Sequence, residues 1–310
     1  VGLDHFCVGR AGDFFGDAIA GDLMVLAGFH GSSLHYHDPI ELVSVLAERG
    51  FGCLAIQPRR GLLDPFAGTE AFDRLIHVAT EHGMQLVIDL DAPFYDDPRR
   101  YQWPSFLEPH SRSAQHAGQS SAADRLQRWV QWIAEKDWRP AALTFSTGRA
   151  NETDNFSTTA HQAILDSLVE QLQPVLELAQ RLAVSLALRP AAKHAIATVA
   201  HFERFCQWID GGGELGLAAD VGEMLLGGEI PIGARLARMQ HKLSCVYLCE
   251  PEMTDGRDIS FGGGDIDFAR VWAAIAESGF KGPAVFRALG QGQQGLALVD
   301  QVQAILSAGR

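Results

Sequence analysis

Eight times along this chain a short apolar run ends in charged or hydroxylated residues, and a segment of helical periodicity follows. The runs are DLMVLAGFHG, GCLAIQPRR, MQLVIDLDAP, AALTFSTG, VSLALRP, GLAADVGEML, KLSCVYLCEP and GPAVFRALG. Strands that alternate with helices build a parallel sheet with right-handed crossovers, and eight such units close a (β/α)8 TIM barrel. The strands expected are Leu23–Phe29, Cys53–Ile56, Met84–Leu90, Ala142–Phe145, Val184–Leu188, Leu215–Ala219, Leu243–Leu248 and Ala284–Phe286. The 310 residues fit one such domain with modest insertions. The reading is a leader at 1–22 and a single barrel at 23–310.

Helix signals punctuate the runs. Asp38-Pro39 supplies an N-cap and a first helical position, and Thr69 a second cap. Leu126, Trp129, Val130 and Ile133 recur at helical spacing and read as core. Pro174 falls inside the helix expected over Thr159–Arg181, where it would kink it. A helix expected over Ala197–Asp210 stops at Gly211-Gly212-Gly213. Helices are also expected over Ile232–Met239 and from Gly295 to Ala308, and Asp265 is expected to cap the helix after Phe261–Gly264. The irregular stretch Ala92–Ser120, with Tyr95, Tyr101, Trp103, His110 and His116, is long enough for a lid or binding loop.

Charge and composition exclude some functions. A formal net charge of −13 repels phosphate backbones and argues against a nucleic-acid partner. No apolar run reaches the roughly 18 residues of a membrane span. Five cysteines (Cys7, Cys53, Cys206, Cys245, Cys249) without a CxxC pair fit reduced, buried thiols and a cytoplasmic location. Residues 1–21 have no basic segment followed by a long apolar one, so no intact secretory signal is expected. A homo-oligomer is compatible with such a barrel.

Active sites of these barrels sit at the carboxyl ends of the strands. The tips here carry His30, Arg59, Asp89 with Asp91, Thr147, Arg189, Asp220 with Glu223, Tyr247 with Glu250, and Arg287. That mixed-sign ring suits a small polyol or an anion. Asp89 and Asp91, two apart on a strand, share one face and are candidates for acid–base work or for pairing with Arg59. His30, His35 and His37 form a cluster that can ligate metal or simply contact solvent and substrate.

From about residue 162 to 307, LALRPAAKH, LAADVGEML, the late loop Phe261-Gly262-Gly263-Gly264-Asp265-Ile266-Asp267-Phe268 and the turn Glu277-Ser278-Gly279-Phe280-Lys281-Gly282-Pro283 carry a family pattern. The chain resembles the sugar phosphate isomerase/epimerase family, which has a xylose isomerase-like barrel. That resemblance implies one divalent metal held by a Glu, an Asp, a His and a Glu on the last four strands. It also implies metal-assisted proton transfer between two carboxylates. Matched motif to motif, those four positions fall on Arg189, Asp220, Tyr247 and Arg287, and a His that often follows the Asp falls on Glu223. Glu250 stands where the family's His-x-Lys-Asp places its Asp.

Arginine cannot lose its proton near neutral pH and so cannot ligate a cation or act as a base. The family's set carries about −3 before the metal binds, whereas Arg, Asp, Tyr and Arg carry about +1. A metal-free, cofactor-free site is therefore expected. Its partner is read as a small polyol, sugar acid or sugar phosphate, contacted by Arg189, Arg287, Tyr247, Arg257, His30 and Lys193. The catalytic candidates are Asp220, Glu223, Glu250 and Asp89. Two readings of the arginines stay open here: forks for a ligand anion, or internal bridges to Asp220, Glu223 and Glu250 that fill the vacated metal space. A non-catalytic carbohydrate- or anion-binding protein is the alternative to an isomerase or epimerase with altered chemistry.

Overall fold

A computed structural model describes residues 25–58, 63–66, 68, 70–91, 106, 121–148, 158–209, 214–254 and 257–308. The leader, Arg59, the loop histidines His110 and His116 and the cap Thr69 lie outside the described residues. Eight parallel strands close into a barrel in the order β1, β10, β7, β6, β5, β4, β3, β2. They are β1 (Leu26–His30), β2 (Cys53–Ile56), β3 (Gln85–Asp89), β4 (Ala142–Phe145), β5 (Leu186–Leu188), β6 (Leu215–Asp220), β7 (Leu243–Leu248) and β10 (Pro283–Phe286). A two-stranded antiparallel hairpin, β8 (Glu250–Pro251) with β9 (Asp258–Ile259), stands apart from the barrel after β7.

The strand period of two separates each strand into two packed sets. Cys53, Ala55, Val87, Ala142, Ala187, Ala218, Cys245, Tyr247 and Val285 form a small inner cluster. The alternate residues, such as Leu54, Ile56, Leu86, Ile88, Phe145, Leu188, Leu248 and Phe286, join helix residues in the larger shell. Small side chains inside and large ones outside are what a closed barrel demands, because eight chains converge on one axis. Each fully buried Leu, Ile or Phe of the shell contributes about 1.5–3 kcal/mol. Gly28 shows how tight the inside is: a Cβ there would lie 2.9 Å from the Cβ of Cys53.

The helices are α1 (Pro39–Glu48), α2 (Glu70–Glu81), α3 (Ala122–Ala134), α4 (Thr158–Arg181), α5 (Val199–Trp208), α6 (Val221–Leu226), α7 (Ile232–Arg238), α8 (Phe268–Glu277) and α9 (Ala297–Ala308). Asp38 caps α1 as expected, accepting the Ile40 amide at 2.7 Å. Ser121 and Asp124 form a capping box on α3. The stripe Leu126, Trp129, Val130 and Ile133 is buried, and α4 runs on through Pro174.

Three local features depart from the expectation. Asp267, not Asp265, caps α8, because its side chain accepts the Arg270 amide. The six-residue α6 starts directly from the tip of β6, with Asp220 as its cap. The β8–β9 hairpin has only two residues per strand, too short to show any periodicity. Among the described residues no helix is long and apolar enough to cross a membrane.

Candidate active site

At the carboxyl end the inward-facing positions change from small apolar to polar. His30, Asp89, Thr144, Arg189, Asp220, Tyr247 and Arg287 succeed the inner cluster and are all buried. Tyr247 is the centre. Its hydroxyl lies 2.7 Å from the Thr144 hydroxyl, and the guanidinium carbons of Arg189 and Arg287 stand 5.0 and 5.8 Å from its ring centroid. Both lie within cation–π range of the ring.

Each arginine is forked onto aspartates. Arg189 donates to Asp89 at 3.0 Å and to Asp91 at 2.5 Å. Asp89 also contacts His30 Nε2 at 3.2 Å, and accepts the Asp91 amide at 3.1 Å and the Thr144 hydroxyl at 3.3 Å. Gln57 bonds the Asp91 carbonyl at 2.6 Å and the Ser32 hydroxyl at 2.6 Å, tying the tips of β1 to β3 together. Arg287 lies 2.9 Å from Asp220 through Nη1 and 3.1 Å from Asp258 through Nε. Asp258 also accepts the Leu289 amide at 2.9 Å. Cys249 donates to Asp220 at 2.9 Å and lies 3.3 Å from Nη2 of Arg287.

These pairings set the charge states. Burial alone would raise the Asp89 carboxyl, but Arg189, with His30, holds it well below the usual range. Asp220 is likewise held down against burial, by Arg287 and then Arg189. Burial works against both guanidinium charges, and the aspartates more than restore them. His30 is pushed down by burial despite Asp89, and its Nδ1 accepts the Ser32 amide at 3.2 Å. A neutral imidazole protonated on Nε2 satisfies both contacts. Tyr247 and Cys249 are pushed up by burial and stay neutral.

Glu223 differs from these. It sits in the first turn of α6, partly exposed, and accepts the Ala192 amide at 2.6 Å. Burial, then the charge of Asp220, pushes its carboxyl up to about 7.

The structure thus brings Arg189, Arg287, Tyr247, Asp220, Glu223, Asp89 and His30 into one cluster. It does not bring in the other three named residues. Glu250 is buried on β8 with Oε1 accepting the Ile266 amide at 3.0 Å, so it fastens the loop before α8. Burial raises its carboxyl, and a Cβ at Gly264 would stand 2.4 Å from its Oε1. Arg257 is exposed on the hairpin, and Lys193 is exposed in the β5–α5 turn with φ 67°. Of the expected internal bridges, that to Asp220 is present, made by Arg287, while Glu223 and Glu250 are not used: Arg287 also takes Asp258, and Arg189 takes Asp89 and Asp91. Sequence reasoning missed Asp258, Thr144 and the role of Cys249. The period of β4 would have found Thr144; nothing in the sequence marks Asp258.

A sequence profile described as the xylose isomerase-like TIM barrel matches residues 43–304. The chain belongs to that family. Solved structures of similar fold include a D-tagatose 3-epimerase-like protein, at 14% identity and TM-score 0.69, covering 92% of this chain and 98% of that one. A 3-keto-D-glucoside 4-epimerase from E. coli matches at 13% identity and TM-score 0.68, covering 92% and 99%. The IOLI protein with a bound zinc atom matches at 11% identity and TM-score 0.66, covering 92% and 96%. At these identities they share the barrel. No curated protein sequence matches the chain.

The divalent cation implied by the family resemblance does not suit the residues present. Of the four positions, two are permanently charged guanidinium groups and one is a buried phenol bonded to Thr144. The fourth, Asp220, already meets Arg287, Cys249 and the Glu223 amide. Among the described residues no three His, Cys, Asp or Glu side chains gather as a metal site.

Proposed function

We propose that this chain is an isomerase- or epimerase-type enzyme acting on a small carbohydrate at the barrel mouth, in a site that uses no divalent metal. One observation carries the reading: Arg189 and Arg287 flank Tyr247 at the strand tips, and Arg287 lies 2.9 Å from Asp220. A fixed guanidinium supplies positive charge beside the reacting oxygens without a cation's coordination shell. Four aspartates already neutralise the two arginines. An added carboxylate or phosphate would therefore face surplus negative charge, and the site favours an uncharged polyol over its acid or phosphate. The family's carbohydrate chemistry, and the sugar epimerases among its structural neighbours, support the substrate class.

The test is elemental analysis of protein purified without chelator, followed by thermal melting with five- and six-carbon sugars before and after dialysis against EDTA. Less than about 0.1 equivalent of Mn, Zn or Mg per chain is expected. A sugar should raise the melting temperature equally in both samples. One tightly held metal ion per chain, or stabilisation that disappears on chelation, would refute the metal-free site.

A further inference from the structure

The inward alternation of the strands has an amino end as well as a mouth. Two positions before Val87 and Ala187 of the inner cluster stand Gln85 and Ser185, on the same face of their strands. On β7 the alternation is broken by an extra residue. Leu217 pairs with Leu243 and Ala218 with Cys245, so Ser244 is bulged out of the ladder. A bulge re-aims a side chain at a barrel rim. The Ser244 hydroxyl lies over Gly216, where a Cβ would overlap its oxygen, and Gly216 pairs with Ala187 of the inner cluster. Glycine at 216 is therefore what gives the bulged hydroxyl its place on the inside of the barrel floor.

The result is a cleft of about 380 Å³ at the floor of the barrel, within the range of small-ligand sites. Gln85, Ser185, Gln240, Ser244 and Lys281 supply its polar lining, beside the ring of Phe280. Among the described residues no carboxylate lines it. Among those residues, too, none of the five polar side chains makes a hydrogen bond or an ion pair within the protein. In a chain of net charge −13, an ammonium group set among neutral hydrogen-bonding side chains makes a local positive site. The inner cluster separates this floor from the arginines. Gln85 and Asp89 are the two ends of β3, about 13 Å apart along the strand.

We propose that this cleft is a second binding site, for a small polyhydroxylated anion (a sugar phosphate or a sugar acid) whose charged group meets Lys281. The ammonium group offers three donors to phosphate or carboxylate oxygens. The two glutamine amides and the two serine hydroxyls each donate and accept, which is what the hydroxyl groups of a polyol require. At the mouth both guanidinium groups are already answered by aspartates. At the floor the cation is open, so the two ends of the barrel select ligands of different charge. The floor site stands on its own lining and does not depend on the reaction at the mouth.

The experiment is calorimetric titration of the full chain with glucose 6-phosphate, with gluconate and with glucose as the uncharged control. The same titrations are run on Lys281→Met, Lys281→Arg and Ser244→Ala. Lys281 has no ion-pair partner among the described residues, so its variants should melt with the parent, which checks folding. At least one of the two anions should bind with a Kd below about 1 mM. Lys281→Met should weaken it about 10- to 100-fold, and Lys281→Arg should restore most of the loss. Ser244→Ala should weaken it about 3- to 10-fold. Binding of glucose 6-phosphate alone assigns the site to a phosphate, of gluconate alone to a carboxylate, and of both to the charge they share. An anion held as tightly by Lys281→Met as by the parent would place the binding elsewhere and overturn the proposal. Displacement of the anion by an equal concentration of glucose would overturn its charge class. Absence of binding by either anion up to about 10 mM would remove the site.

Discussion

Replacing Arg287 by Met tests whether its guanidinium is the counter-charge that keeps the mouth folded. Methionine fills much of the same volume without the cation, leaving Asp220 at 2% exposure and Asp258 at 8% without their shared partner. Removing one member of a buried ion pair costs about 3–5 kcal/mol. For a chain of this length that corresponds to a fall in Tm of about 5–8 °C. The loss should depend on pH in a definite direction. In the parent, Arg287 helps hold the Asp220 carboxyl below its unfolded value, so Asp220 stabilises the fold at neutral pH and loses that contribution only in strong acid. Without Arg287, burial pushes the Asp220 carboxyl up instead, and the folded state then binds a proton that the unfolded chain has released. The variant should therefore recover part of its deficit between pH 7 and pH 5. Urea unfolding of both proteins at the two pH values measures this. Arg287→Lys, which keeps the charge and loses the fork, should fall between. A deficit below about 1 kcal/mol at pH 7, or one that does not narrow on acidification, would show that Arg287 is not the group compensating these carboxylates.

Glu223, raised to about 7 by burial and Asp220, works in the opposite sense. Between the unfolded carboxyl value and pH 7 the native state holds the extra proton, so stability should fall as pH rises through that window. The fall should be on the order of 2 kcal/mol once solvent screening is allowed for, and Glu223→Gln should abolish it in pH-resolved urea titrations. Gly28→Ala places a methyl 2.9 Å from the Cys53 Cβ and 3.0 Å from its carbonyl oxygen. It should cost about 1–3 kcal/mol by denaturant unfolding, and a neutral result would mean the barrel interior is looser than its register implies.

The barrel was legible because its signal is redundant. Eight apolar runs with polar ends leave few alternatives, and six of the expected strands match the observed ones to within one residue at either end, Cys53–Ile56 and Leu243–Leu248 among them. The positions of Arg189, Asp220, Tyr247 and Arg287 followed from strand parity and motif order. Of the charge partners, only Asp220 for Arg287 did. Arg189 is 31 residues from Asp220 in sequence, yet it forks onto Asp89 and Asp91, about 100 positions away, because ring closure places β3 and β5 on either side of β4. Asp258 reaches Arg287 from a hairpin whose strands are too short for any period to announce. A residue's direction is local, written in the alternation of its own strand, while its charge partner is set by which tips the closed ring brings together. The same two arginines, judged from their own strands alone, look like open forks waiting for an anion. Once closure supplies four aspartates, both guanidinium groups are already answered, and the pair reads as a set of internal bridges rather than an open anion fork.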